Sequence, residues 1–167
     1  MNKNRTMIKR NIILLSLLSG VFTSCVGVKP IASEYEIFYE RSKGIVESEL
    51  GNGRVLFYNG GYFIPDYTPM LATMVNLKLN GKSAPTTQLG EFFILRLDYG
   101  EYDIETEVRD VFWKRSKYKV EITADTKVIN IIGGGIGKNV KVVDKLPNPF
   151  DSYRYVKMST FKSEGLR

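Results

Sequence analysis

Glu101-Tyr102-Asp103-Ile104-Glu105-Thr106-Glu107-Val108-Arg109, followed after five residues by Arg115-Ser116-Lys117-Tyr118-Lys119-Val120-Glu121-Ile122-Thr123, is the stretch that decides the fold. Polar and apolar residues alternate in each half. An extended strand turns successive side chains to opposite faces. Glu101, Asp103, Glu105 and Glu107 therefore share one face of the first strand, and Arg115, Lys117 and Lys119 one face of the second. Setting Glu107 opposite Arg115 also sets Glu105 opposite Lys117 and Asp103 opposite Lys119. The other face then carries Tyr102, Ile104, Val108, Tyr118, Val120 and Ile122. Burying one such side chain is worth about 1.5–3 kcal/mol. Exposed charge pairs contribute less, so the apolar face decides the fold and the charges tune its register. A one-residue shift would expose the whole apolar set. A two-residue slip keeps the faces and pairs Glu107 with Lys117.

Four acids on one face suggest a cation site or a solvated face. A calcium loop wants acids converging from a tight turn, and a basic strand next door supplies counter-charges. The solvated face is the reading adopted, with no metal and no cofactor expected.

The pattern continues outward as strands. Arg54-Val55-Leu56-Phe57-Tyr58 is bounded by Asn59-Gly60-Gly61. Residues 73–79 alternate and meet Asn80-Gly81, a strong turn signal. Residues 91–97, 102–109, 117–123, 127–132 and 140–143 follow, with a turn expected near 110–113. About seven short strands at regular spacing, without helical crossovers, predict an all-β antiparallel sandwich.

Four segments recur in order: Arg54-Val55-Leu56-Phe57-Tyr58, Val75-Asn76-Leu77-Lys78-Leu79-Asn80-Gly81-Lys82, Leu89-Gly90-Glu91-Phe92-Phe93 and Leu97-Asp98-Tyr99-Gly100-Glu101-Tyr102. Over roughly residues 50–132 the chain resembles an uncharacterised family of small bacterial lipoproteins with a transthyretin-like or immunoglobulin-like sandwich. Tyr99-Gly100 replaces that family's usual Pro-Gly. Residues 126–129 lack the aromatic pair usual there. No catalytic residues are established for the family, so the resemblance implies none.

The N-terminus speaks to location. Lys3, Arg5, Lys9 and Arg10 precede the apolar run Ile12-Ile13-Leu14-Leu15-Ser16-Leu17-Leu18. A basic segment followed by a short apolar one is the build of a secretory signal, and the run is shorter than the roughly 20 residues a spanning helix needs. Val21-Phe22-Thr23-Ser24-Cys25 resembles the lipobox of bacterial lipoproteins, with Phe22 at the position usually held by Leu. The resemblance implies lipidation of the Cys25 sulfur and acylation of the new N-terminus. Cys25 is the only cysteine, so it has no disulfide partner within the chain. No acid stands at Val26 or Gly27, and acidic signals at those positions resemble inner-membrane retention or surface export. The expected location is the outer membrane, facing the periplasm.

Removing residues 1–24 takes away four of the 24 basic residues and none of the 18 acidic ones, leaving a net charge of +2 in place of +6. Nucleic-acid binding, which needs a strongly basic surface, loses its support. There is no histidine, which excludes Ser-His-Asp and Cys-His catalysis and imidazole metal sites. Paired carboxylates or a Ser-Lys arrangement stay open. Gly133-Gly134-Gly135-Ile136-Gly137-Lys138-Asn139 misses the phosphate-binding loop, which would need Gly at Ile132 and Ser or Thr at Asn139. It reads as a glycine-rich turn.

The expected organisation is a signal peptide at 1–24, lipidated Cys25 and a tether to residue 50, the sandwich at 51–145 and an extension at 146–167. No catalytic residues are assigned. Tyr62, Phe63, Tyr67 and Trp113 are candidate partner-binding aromatics, since Tyr and Trp favour interfaces. They equally suit packing under loops. The expected function is a non-catalytic binding or structural module of the envelope, meeting the membrane through its lipid and a protein or glycan through its surface. A small carboxylate-dependent hydrolase and an assembly lipoprotein of a secretion apparatus are the alternatives.

Overall fold

The computed structural model describes residues 28–37, 45–60, 74–109, 113–132 and 140–156, with Arg109 and Trp113 described in backbone only. Among these residues the chain forms nine strands: β1 (Arg54–Asn59), β2 (Val75–Leu79), β3 (Lys82–Thr87), β4 (Glu91–Arg96), β5 (Gly100–Arg109), β6 (Trp113–Ile122), β7 (Val128–Ile131), β8 (Val140–Val143) and β9 (Arg154–Tyr155). They make two sheets, ordered β8-β7-β1-β4-β9 and β3-β2-β5-β6. The expected all-β sandwich is what forms. Most pairings are antiparallel; β1–β7 and β4–β9 run parallel.

The main core lies between the sheets. Val55, Phe57, Phe93, Leu95, Ile129 and Ile131 come from the five-stranded sheet. Val75, Leu77, Leu79, Ile104, Val108, Val120 and Ile122 come from the four-stranded one. Phe57 and Phe93 stack with ring centroids 5.1 Å apart. The β5–β6 hairpin behaves as its alternation requires, with Ile104 and Val120 both buried.

β1 and β4 are apolar on both sides, and both sides are buried. Leu56, Tyr58, Phe92 and Ile94 point away from the main core into a second cluster with Leu50 and Val128. Ile45, Leu146, Phe150, Tyr153 and Tyr155 cover that cluster from outside. A strand that reads as a continuous apolar run is one buried on both faces. Here segments on either side of the sandwich sequence supply the second cover.

The turn at Asn80-Gly81 forms as expected, joining β2 to β3 with Leu79 opposite Lys82. Both turn residues have positive φ, 49° and 81°, the conformation for which Asn-Gly is the preferred two-residue loop. Two strands were not foreseen. β3, Lys82-Ser83-Ala84-Pro85-Thr86-Thr87, contains a proline that cannot donate to a ladder. It lies at the sheet edge, where such a residue is tolerated, and the register shifts beside it between Val75 and Leu77. β9 is two residues long. In addition, Trp113 begins β6 opposite Arg109, so it stands in the strand and not in the expected turn.

Residues 28–35 run along the outer side of β2 and β3. Asn76 Nδ2 donates to the Lys29 carbonyl at 3.0 Å, and Ile31 N donates to Thr86 Oγ1 at 3.1 Å. Glu34 N donates to the Ser83 carbonyl at 2.8 Å, and Tyr35 Oη to the Leu79 carbonyl at 2.8 Å. Val28, where this strap begins, is 3% exposed.

Candidate functional site

The charged face of the β5–β6 hairpin is the chemically richest surface described. Its register places Glu107 opposite Arg115, Glu105 opposite Lys117 and Asp103 opposite Lys119, as the alternation required. Arg115 Nη2 meets Glu107 Oε1 at 2.8 Å, and Lys117 Nζ meets Glu105 Oε1 at 2.8 Å. The third ion pair departs from its register partner. Lys119 Nζ reaches diagonally to Glu101 Oε1 at 2.6 Å. Glu101 stands opposite Glu121, and like charges directly opposite are unfavourable. Glu101 also has one more methylene than Asp103, so its carboxylate reaches the ammonium more readily.

These acids are spread along a strand and held by neighbouring cations. The hydrogen bond from Lys117 holds the Glu105 carboxyl below its ordinary value, and the same bond raises Lys117. The bond from Glu101 raises Lys119. A general acid working near neutral pH needs the opposite, a carboxyl pushed upward. Among the described residues no group of three His, Cys, Asp or Glu side chains could hold a metal ion.

Where the strap crosses the sheet it leaves a groove of about 430 Å3, lined by Ile31, Lys78, Glu105, Glu107, Arg115 and Lys117 among others. Three cations and two carboxylates line it, with one apolar wall from Ile31. Its side chains are mutually paired and largely exposed, Arg115 by 82% and Lys117 by 64%. They can exchange internal partners for the charged groups of a ligand at little cost, because exposed pairs of this kind hold one another weakly. Lys78 and Ile31 were not singled out from the sequence. Lys78 was legible as the polar residue of β2 beside Glu105, but no local pattern announces that residues 28–35 fold back over β2 and β3.

Cys25, Tyr62, Phe63 and Tyr67 lie outside the described residues. Trp113 is placed by its backbone at the start of β6. The aromatic cluster that is described lies instead on the outer side of the five-stranded sheet. Phe92 contacts Phe150 and Tyr155, each at a centroid distance of 5.0 Å, and Tyr58 meets Tyr153 edge-on at 5.4 Å. Burial, with Tyr58 adjacent, pushes the Tyr153 phenol up to about 12. The signal for this layer was the spacing of Phe150, Tyr153 and Tyr155 together with the apolar outer face of β4.

That layer is locked by a buried carboxylate. The Glu91 side chain is 4% exposed. It accepts from Gln88 N at 2.8 Å and from Arg154 Nε at 3.2 Å. Arg154 Nη2 also donates to Gln88 Oε1 at 3.0 Å. Every contact is internal to the fold, so Glu91 fastens β9 to β4. No family model, curated protein or solved structure matches the chain.

Proposed function

We propose that the chain is a bacterial envelope lipoprotein. Its β-sandwich, anchored through acylated Cys25, acts as a non-catalytic binding or structural module on the periplasmic side of the outer membrane. The observation that carries the reading is where Cys25 falls. The only cysteine of the chain ends a basic-then-apolar leader, three residues ahead of buried Val28. Several acyl chains at about 0.8 kcal/mol per buried methylene hold such a domain stably. The paired charges of the groove support binding over proton transfer, since Glu105 is held in its charged form. The resemblance to small sandwich lipoproteins belongs to the same proposal.

The test is metabolic labelling with a fatty-acid analogue in a bacterial host that processes lipoproteins. Wild-type chain is expected to take up label and fractionate with membranes, and Cys25→Ala to lose both. Label retained in Cys25→Ala overturns the anchor.

A further inference from the structure

We infer that the membrane itself lies against the charged face of the four-stranded sheet, at the end where Val28 emerges. The inference rests on the lipoprotein reading of Cys25. Three peptide units separate Cys25 from Val28, and an extended chain covers at most ~3.6 Å per residue. The acylated residue therefore stays within about 11 Å of Val28. Val28 is buried, and the Lys29 carbonyl is tied to Asn76 on the outer face of β2. The leash thus attaches to one corner of the sandwich and is too short to let the domain turn over freely.

That corner has a definite composition. Asn76 lies opposite Glu107 of β5, and Glu107 lies opposite Arg115 of β6. The groove beside Ile31 opens here. Exposed Lys78, Arg115 and Lys117 line it and outnumber Glu105 and Glu107 by one, and exposed Lys29 follows Val28 on the strap. Cations within a Debye length of an anionic leaflet are attracted to it. Short leash and positive corner point the same way: anionic headgroup phosphates meet these four cations, exchanging with the weak internal ion pairs. The opposite end of the sheet, with Asn80-Gly81 and Asp125, faces away. From Arg115 to Ile122 the strand advances seven residues, about 23 Å, which separates the two ends clearly.

Because Cys25 is consumed by lipid, an introduced cysteine is the only free thiol. Acylated Arg115→Cys and Asp125→Cys proteins are labelled with a fluorophore. They are then reconstituted in phosphatidylcholine–phosphatidylglycerol vesicles carrying a nitroxide on the headgroup. Lys117→Cys and Glu121→Cys repeat the comparison at a second near and far site, so one misfolded variant does not decide it. Quenching at the near sites is expected to be at least about threefold stronger than at the far sites. Equal or reversed quenching in protein that floats with the vesicles overturns the docking and leaves the anchor standing. Protein that fails to float and lacks acyl mass overturns the anchor, and the docking with it.

Discussion

The outer faces of the two sheets have opposite fates. On the five-stranded sheet, Leu56, Phe92 and Ile94 point outward and are covered by Leu50, Phe150, Tyr153 and Tyr155. On the four-stranded sheet, Lys78, Glu105, Arg115 and Lys117 point outward around an open groove. The difference follows from sequence pattern. A strand apolar at every position needs cover on both sides, and the chain supplies it from residues 45–50 and 144–156. A strand that alternates needs cover on one side only, which leaves its second face for water or a partner. The first outer face is therefore closed by the chain itself, and the second carries the open groove.

The largest expected effect sharpens that contrast. Phe92→Ala removes a fully buried ring on the covered face and should destabilise by about 3–5 kcal/mol. Urea unfolding followed by tyrosine fluorescence measures it. A loss below about 1 kcal/mol would mean the aromatic layer is loosely held. Glu91→Gln is expected to cost about 1–3 kcal/mol in the same assay, because it strips a charge-assisted acceptor from Gln88 N and Arg154. Wild-type stability in this variant would show that β9 is not fastened through Glu91.

Alkaline pH should act on the covered face first. The Tyr153 phenol is raised from 10.0 to about 12, so the folded state holds that proton more tightly than the unfolded one. The stabilisation is complete below pH 10 and drains away as pH rises toward 12. Its size is about 1 kcal/mol once the half-exposure of the ring is allowed for. Tyr153→Phe should flatten this part of the pH–stability curve, with phenolate absorbance reporting the titration. An unchanged slope would remove Tyr153 from the explanation.

The smallest effect is expected on the charged face. Lowering of the Glu105 carboxyl means that its contribution is present above pH 4.5 and lost as pH falls through its folded value. The pair is exposed, so Glu105→Gln should leave the thermal midpoint within about 2 °C. A large drop would show that the hairpin depends on its charges and not on Ile104 and Val120.

The hairpin was the most legible part of the chain because alternation states face and register together. Arg115, Lys117 and Lys119 met their expected partners strand to strand. Only the Lys119 ion pair strayed, since a flexible stem chooses among carboxylates that register alone does not rank. β3 was hidden by Pro85, which looks like a break and is harmless on an edge strand. β9 was hidden by its length, because two residues carry no period. The groove was illegible for another reason. It forms only where residues 28–35 fold across β2, and that long-range crossing leaves no mark in either segment.

Intact-mass measurement of the mature protein, extracted from membranes of a host that processes lipoproteins, tests the anchored-sandwich reading most directly. The expected mass is that of a chain beginning at Cys25 plus a diacylglycerol thioether and an N-terminal acyl chain. A mature chain carrying an unmodified Cys25, or beginning at any other residue, contradicts it.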